Sequence, residues 1–187
     1  MTDYPNWFNL TAKANFEKFL PKKDGLVALQ LGVYTGDASL WMLDNIPNLK
    51  LTDVDTWQGS DEEVHKTMDF DDVYKTYLAK TDNRPVTSYR STTTFFLKRA
   101  ECVSGKYGPY DFIYIDADHT TVGVLMDAEL SWPLLKSGGI MAFDDYTWAP
   151  ELSPELTPTL GIDLFLARHE GEYETLVVNA QVWIQKK

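Results

Sequence analysis

Short apolar runs alternate along the chain with segments whose apolar positions recur at helical spacing. The runs predict five strands, at residues 26–31, 50–54, 86–89, 112–115 and 140–143. A helical stripe lies between each successive pair of runs. Because crossover helices join parallel strands, this order predicts an α/β fold built on a mainly parallel sheet.

The stretch from Asp111 to Tyr146 is the most informative of these β-α-β units. Its helical stripe is expected to run through Val122, Leu125, Ala128 or Glu129, Trp132 and Leu135, with Ser137-Gly138-Gly139 as the turn into the second strand. The two apolar runs end in Asp116 and in the pair Asp144-Asp145. Because the carboxyl ends of parallel strands share one sheet edge, we expect these three carboxylates to converge where open α/β sheets bind ligands.

Amphipathic segments flank this core at both ends. Asn9 to Leu20 predict one helix that packs on the sheet or covers part of its ligand edge. Near the other end, Tyr173–Val178 and Gln181–Gln185 predict a hairpin with Asn179-Ala180 as its turn. This hairpin is expected to close an otherwise parallel sheet.

Length and hydrophobicity fit one domain. The 187 residues, 44% of them hydrophobic, suffice for one full core but not for two. We divide the domain into an N-terminal helix (1–21), a core that carries the ligand-binding residues (26–146), a proline-spaced loop over the site (147–160) and a terminal helix with hairpin (161–187).

Composition narrows the function and the compartment. Asp and Glu outnumber Lys and Arg by 28 to 17, a formal charge of -11, which argues against nucleic acid as a partner. The lone Cys102 excludes an internal disulfide and fits a reducing compartment. We find neither a secretory leader nor 18 consecutive apolar residues, so we expect a soluble, cytoplasmic protein without a membrane anchor.

A glycine-rich turn follows the first strand. It reads Gly32-Val33-Tyr34-Thr35-Gly36, and its G-x-x-x-G spacing differs from the dinucleotide fingerprint and from the P-loop. Glycines let the backbone approach a ligand closely, and the start of the next helix offers N–H groups to an anion. The turn therefore has the properties of a ligand-binding loop.

Acidic and aromatic residues follow the second strand. Asp55 ends it and suits a ribose diol, because a carboxylate accepts hydrogen bonds from two hydroxyls. Asp53 alternates with Asp55 and should point to the other face of the sheet. Trp57 either flanks an adenine ring or simply packs against the protein.

The ordered set LQLGVYTG, DVDTW, YIDADH and LLKSGGIMAFDDY resembles the class I S-adenosylmethionine-dependent methyltransferases. Within them it is most similar to the metal-dependent O-methyltransferases that include macrocin-type sugar O-methyltransferases and cephalosporin-hydroxylase-like proteins. The resemblance implies a Rossmann-like sheet, mostly parallel with a C-terminal antiparallel hairpin, and helices on both faces.

The resemblance also implies the cofactor site. Its glycine loop, ribose acid and adenine-side strand end fall on Gly32, Tyr34, Gly36, Asp55 and Ser91. Two positions depart from the family pattern: Gln30 replaces the usual acid of the first strand, and Ala38 replaces a small hydroxyl residue. Gln30 can hydrogen-bond the cofactor but cannot offset its sulfonium charge. Together with Gln30, Trp57 and Asp116, these residues form the predicted S-adenosylmethionine site.

The metal ligands implied by the resemblance are Asp116, Asp144 and Asp145, and the implied general base is His119. Three carboxylates form an oxygen site that suits Mg²⁺, which can activate and orient a chelating acceptor hydroxyl. We therefore predict Mg²⁺-dependent O-methylation of a small hydroxylated acceptor such as a vicinal diol, a sugar or a catechol.

Two alternatives stay open at this point. The first is a non-catalytic S-adenosylmethionine-binding module, suggested by Gln30 and Ala38, and the second is a nicotinamide-dependent oxidoreductase, which the glycine spacing disfavours. A domain of this size has little chain with which to cover an acceptor pocket, so we also consider a homo-oligomer.

Overall fold

The computed structural model describes residues 4–60, 63, 65–102 and 108–187. Its strands are β1 (Val27–Leu31), β2 (Lys50–Asp55), β3 (Val86–Arg90), β4 (Tyr110–Ile115), β5 (Leu135–Phe143), β6 (Tyr173–Val178) and β7 (Val182–Lys186). Its α-helices are α1 (Trp7–Thr11), α2 (Lys13–Phe19), α3 (Asp37–Asn45), α4 (Phe70–Thr81), α5 (Thr93–Cys102), α6 (Thr121–Ser131) and α7 (Pro158–Arg168). Short 3-10 turns lie at His65–Thr67, Trp132–Leu134 and Pro154–Leu156.

The strands form one seven-stranded sheet in the order β3-β2-β1-β4-β5-β7-β6. The first five strands are parallel, whereas β7 pairs antiparallel with both β5 and β6. The strand order reverses between β1 and β4, which is the point at which open α/β sheets form a ligand crevice. The predicted fold class, including the antiparallel terminal hairpin, is confirmed.

Helices cover both faces of the sheet. On one face α5, α6 and α7 bury residues such as Leu97, Val124 and Phe165 against the strands. On the other face α2 and α3 do the same with Phe16 and Met42. A smaller aromatic cluster beneath α4 lies next to the glycine loop.

The N-terminal segment is two helices rather than the single one predicted from Asn9 to Leu20. The break falls at Ala12, which ends α1 and starts α2. It lets the two helices serve different targets: Trp7 stacks on Tyr34 of the glycine loop at 4.6 Å, while Phe16 packs edge-to-face on Phe112 and other aromatic rings of the sheet face.

Two further expectations about the 111–146 unit were wrong in detail. Helix α6 buries Val124 and Ala128 but leaves Val122 68% exposed, because its inner face is set by contacts with α7, where Gly161 approaches Thr121 and Val124 closely. The Ser137-Gly138-Gly139 segment lies within β5 instead of preceding it. The register with β4 shifts there, so the extra residues form an irregularity inside the strand.

Candidate active site and metal centre

Backbone hydrogen bonds beyond the strand ends align the carboxyl edge of the sheet. The Asp116 N–H donates to Leu31 O at 2.8 Å, and the Asp144 N–H donates to Ile115 O at 2.9 Å. On the other side of β1, the Gly32 N–H donates to Val54 O at 2.9 Å. These bonds bring the glycine loop and the acidic strand ends side by side, as predicted from the parallel topology.

Asp116, His119 and Asp145 form a cluster at this edge. One potential ligand atom of each lies within 4.8 Å of the others. The His119 Nε2 atom is 3.1 Å from Asp145 Oδ2 and 3.8 Å from Asp116 Oδ1. The ring of His119 also lies 5.0 Å from that of Trp148, measured between centroids. Two carboxylates and an imidazole therefore share one partly buried position.

Asp144, predicted as a third ligand, lies beside this cluster and hydrogen-bonds its neighbours. It is 7% exposed, accepts a hydrogen bond from the Tyr114 hydroxyl, and accepts another from the Asp145 N–H at 2.9 Å. Both acids follow the last residue of β5, and Asp145 has a positive φ of 56°. The cluster of potential ligand atoms contains His119, and the role of Asp144 as a ligand stays a prediction.

The acidic residues of the site repel one another electrostatically. Burial and the neighbouring Asp144 raise the pKa of Asp116 well above its usual range, against the opposing effect of His119. Burial and Asp145 raise the pKa of Asp144 to about 6. Because the neighbouring carboxylates make ionisation of Asp116 and Asp144 less favourable, the site has the electrostatic character of a cation site.

The glycine loop has a conformation that other residues do not adopt easily. Gly32 has φ 82°, and a Cβ atom there would lie 1.8 Å from the carbonyl oxygen of Asp116. Gly36 also has φ 82°, and a Cβ atom there would lie 2.8 Å from the ring of Tyr77. Both glycines are therefore required by close contacts, and Gly32 places the loop directly against the strand end that carries Asp116.

Asp55 holds this loop to the end of β2. Its Oδ2 atom accepts hydrogen bonds from the N–H groups of Val33 at 2.7 Å and Tyr34 at 3.0 Å. Its Oδ1 atom accepts one from the N–H of Trp57 at 2.7 Å. A carboxylate has about four acceptor positions, so these three bonds leave about one for a ribose hydroxyl. The predicted hydrogen bonds of Asp55 to a ribose diol stay a prediction.

A family model described as "Methyltransferase domain" matches residues 29–146, which is more than half of the chain and includes the loop and both acidic strand ends. The chain belongs to this methyltransferase family. Comparison with curated proteins gives no match.

Solved structures share the fold of this methyltransferase. MycE methyltransferase of the mycinamycin biosynthetic pathway, solved with Mg, S-adenosylhomocysteine and mycinamycin VI, is 18% identical with a TM-score of 0.62. The match covers 99% of this chain but 50% of MycE, so the chain spans about half the length of that protein. An O-methyltransferase from Bacillus cereus, solved with S-adenosylhomocysteine, is 17% identical over 100% of this chain and 93% of its own, with a TM-score of 0.61.

The fold by itself does not select an acceptor. Fibrillarin of Methanococcus jannaschii, a pre-rRNA processing protein, is 13% identical with a TM-score of 0.62, and the match covers 90% of this chain and 70% of fibrillarin. Within the described part of the methyltransferase, no helix has the length and apolar character needed to cross a membrane.

Gln30 and Trp57 lie beneath the cofactor loop of the methyltransferase. Gln30 is 1% exposed; its Nε2 donates to Gly32 O at 2.9 Å and its Oε1 accepts from Ser39 Oγ at 3.1 Å. Its carboxamide therefore supports the loop, and its predicted hydrogen bond to the cofactor stays a prediction. Trp57 is also 1% exposed and packs against Tyr77, while its Nε1 donates to Tyr34 O at 2.9 Å. Of the two roles predicted for Trp57, packing against the protein fits this position, because the buried ring is not open to adenine.

Ser91 occupies the expected end of β3. Its N–H donates to Asp55 O at 2.8 Å, and its hydroxyl donates to Thr92 O at 3.1 Å. The methyltransferase thus brings Ser91 beside the candidate ribose acid, which is the arrangement that the resemblance implied.

Sequence reasoning missed two residues around the loop. Asp53 is fully buried and accepts hydrogen bonds from Ser39 and Tyr77. The alternation along β2 indicates that Asp53 points away from Asp55, but no local pattern indicates its partners on α3 and α4. Trp7, which stacks on Tyr34, precedes the predicted helix from Asn9 to Leu20 and is not among the predicted site residues.

Proposed function

We propose that this methyltransferase transfers a methyl group from S-adenosylmethionine to a hydroxyl oxygen of a small acceptor, with a divalent cation such as Mg²⁺ at the site. The observation that carries the proposal is the contact between the glycine loop and the acidic cluster. A Cβ atom at Gly32 would collide with the Asp116 carbonyl oxygen, so the candidate cofactor loop and the candidate metal ligands are direct neighbours.

The residues around the loop fit the cofactor. Gly32 and Gly36 leave the backbone free of side chains where a ligand approaches, and Asp55 and Ser91 border the loop from neighbouring strand ends. When bound, S-adenosylmethionine supplies an electrophilic methyl group on a sulfonium. We assign Gly32, Tyr34 and Gly36 to contacts along the loop, and Asp55 to a single ribose hydroxyl.

The donor set fits a hard cation. Asp116 and Asp145 offer carboxylate oxygens, which Mg²⁺ prefers, and the mutual repulsion of the acids would be relieved by a positive ion. When bound, the cation supplies Lewis acidity that favours the deprotonated form of an acceptor hydroxyl. Asp144 stabilises the position of Asp145 by accepting a hydrogen bond from its N–H group.

His119 is our candidate for the general base. Because a hard cation selects the carboxylates, the imidazole can take the proton that the acceptor hydroxyl loses. Asp145 and Asp116, 3.1 and 3.8 Å from Nε2, would stabilise the resulting imidazolium. Trp148 lies against the ring and limits its rotation.

The acceptor class is proposed as a vicinal diol, a sugar or a catechol. A formal charge of -11 disfavours nucleic acid, and the structural relative MycE was solved with a small molecule, mycinamycin VI. We retain the prediction of a homo-oligomer, which sedimentation velocity at increasing protein concentration tests.

A non-catalytic binding module is the second candidate function. The observation in its favour is Gln30, whose neutral carboxamide is occupied by Gly32 and Ser39 and offers no charge to a sulfonium. The two candidates agree on cofactor binding and differ on turnover.

The deciding experiment combines binding and turnover. Calorimetry with S-adenosylhomocysteine, followed by a methyl-transfer screen of vicinal diols and catechols with and without Mg²⁺, should give binding and Mg²⁺-dependent product. Asp145→Asn should lose the Mg²⁺ dependence, whereas the control Asp163→Asn, which alters an acid bonded to Tyr146 instead, should keep it. Absence of S-adenosylhomocysteine binding by the folded protein refutes the proposal, and binding without turnover across the screen favours the binding module.

A further inference from the structure

A buried carboxyl group lies beneath the glycine loop. Asp53 on β2 is 0% exposed and stands opposite Gln30 in the β1–β2 register. Its Oδ2 atom accepts hydrogen bonds from Ser39 Oγ at 2.8 Å and from the Tyr77 hydroxyl at 3.0 Å. Asp53 thereby joins β2 to α3 and to α4 with a single oxygen atom.

Two routes lead from Asp53 to the loop. The first route passes through Ser39, whose hydroxyl lies 3.1 Å from Gln30 Oε1. Gln30 in turn donates a hydrogen bond from Nε2 to the Gly32 carbonyl oxygen at 2.9 Å. The second route passes through Tyr77 to Gly36, because the Tyr77 ring fills the space that a Gly36 Cβ atom would need. The two glycines that frame the loop are therefore both held by neighbours of Asp53.

We infer that Asp53 is a positioning residue of the cofactor site, which fixes the Gly32–Gly36 loop in its binding conformation through Ser39 and Tyr77. This inference rests on the proposed function, since it takes the loop to be the cofactor loop. The inference also explains how the fold tolerates Gln30 on β1 in place of the acid of the family pattern. The carboxyl group that anchors the loop is Asp53, which lies one strand away on β2.

The chemistry of the pocket supports a role beyond packing. An apolar residue at position 53 would leave the buried hydroxyls of Ser39 and Tyr77 without this acceptor, and burying a carboxyl group is itself costly. Burial raises the pKa of Asp53 to about 7, with the nearby Asp55 acting in the same direction and the hydrogen bonds from Ser39 and Tyr77 opposing it. Acceptance of two hydrogen bonds needs an oxygen but not a charge, so asparagine keeps the acceptor for Ser39 and Tyr77, while its NH2 group would take the place of Oδ1, which is buried without a hydrogen-bond partner among the residues that the structure describes.

Four variants and a control test the inference. Ser39→Ala and Tyr77→Phe should each weaken S-adenosylhomocysteine binding by about 3- to 10-fold, as expected for one lost hydrogen bond, and Asp53→Ala should weaken it further. Asp53→Asn should restore binding relative to Asp53→Ala. Tyr173→Phe removes a partly buried hydroxyl that bonds Leu166 O, away from the loop, and should bind as the wild type does.

A second measurement needs no ligand. Hydrogen exchange at the amides of residues 33–36 should accelerate in Ser39→Ala and Tyr77→Phe but not in Tyr173→Phe, because the loop loses its supports. If folded Ser39→Ala and Tyr77→Phe match the wild type in both binding and exchange, the inference is overturned. If the wild type itself does not bind S-adenosylhomocysteine, the proposed function fails, while the exchange data still decide whether Asp53 and its partners order the loop.

Discussion

Single residues at the carboxyl edge adopt backbone conformations that the surrounding contacts impose. Tyr34 has φ 54° and Asp145 has φ 56°, although neither is a glycine. Left-handed conformations cost non-glycine residues roughly 1–2 kcal/mol each. Both residues belong to the candidate site, where such strain persists because the neighbouring structure holds it.

Gly32 gives the sharpest test of this arrangement. In Gly32→Ala the new Cβ atom meets the Asp116 carbonyl oxygen at 1.8 Å, so the loop and the acidic strand end must separate. We expect a loss of more than about 3 kcal/mol in the free energy of unfolding and loss of S-adenosylhomocysteine binding. The control Gly138→Ala has a similar φ of 77° but nothing within 4 Å, so it should lose only about 1–2 kcal/mol. Equal losses in urea unfolding would show that the contact with Asp116 does not matter.

Replacement of His119 distinguishes a general base from a metal ligand. If His119 is the base, His119→Ala lowers kcat by about 10² to 10⁴ and leaves Mg²⁺ affinity unchanged, and the residual rate rises with pH as hydroxide replaces the imidazole. Calorimetry with Mg²⁺ and rate measurements where chemistry limits turnover provide the test. A His119→Ala variant that loses Mg²⁺ binding together with its rate would identify His119 as a ligand, the role that its position between Asp116 and Asp145 also allows.

At the scale of elements, His169 links α7 to α6 and to the segment before β6. Its Nε2 atom lies 3.2 Å from Glu129 Oε2 on α6, and its Nδ1 atom lies 3.0 Å from Glu172 Oε2. Its ring packs on Phe165 and Trp132. Burial by itself would lower the pKa of His169, but the hydrogen bonds to Glu172 and Glu129 outweigh burial, so the pKa is raised.

The pairs that His169 forms with Glu129 and Glu172 should make part of the free energy of unfolding depend on pH. A histidine whose pKa is higher in the folded state contributes stability that is fully present below its unfolded pKa of about 6.5 and is lost as pH rises through the folded pKa. We therefore expect His169→Asn to cost more stability at pH 6 than at pH 9, where only the packing of the ring on Phe165 and Trp132 is lost, measured by thermal unfolding. His65→Asn is the control for removal of a histidine ring, because His65 hydrogen-bonds Ser60 of its own loop and its ring lies 6.0 Å from that of Trp7 and 5.2 Å from that of Phe70. A pH-independent effect of His169→Asn would contradict the ion-pair role.

The sequence predicted which strands and helices form better than it predicted which of their faces are buried. The mainly parallel sheet and the shared acidic edge follow from the apolar runs and the crossover helices between them, and both are present in the structure. The predicted buried face of α6 was wrong at Val122, because contacts with α7 decide which face of α6 is buried. The ligand role of Asp144 stays a prediction. The Asp53 network unites three elements that are distant in sequence, and local patterns carry no information on such side-chain contacts.

For the molecule as a whole, buried acids set the pH at which the fold is most stable. Burial raises the pKa of Asp53 and of Asp127 to about 7 each, against hydrogen bonds that lower them. Unfolded aspartates have a pKa of about 3.9, so the folded protein holds more protons than the unfolded chain between these values. Stability should therefore fall as pH rises from about 4 to about 7, by up to about 4 kcal/mol for each group. Asp111, whose pKa is lowered by Lys136 and the Val27 N–H against a burial penalty, acts in the opposite sense and loses its contribution in acid.

Urea unfolding at pH 5 and pH 8 tests this balance. The wild type should be more stable at pH 5, while Asp53→Asn and Asp127→Asn should each reduce the difference between the two pH values, because asparagine never ionises. Asp44→Asn alters a surface ion pair with Arg84 in which the Asp44 side chain is 62% exposed, and it should leave the difference unchanged. Mg²⁺ should stabilise the wild type more at pH 8 than at pH 5, since protons and the cation compete for Asp116. Equal stability of wild type and Asp53→Asn at both pH values would mean that Asp53 ionises in the fold as readily as in the unfolded chain.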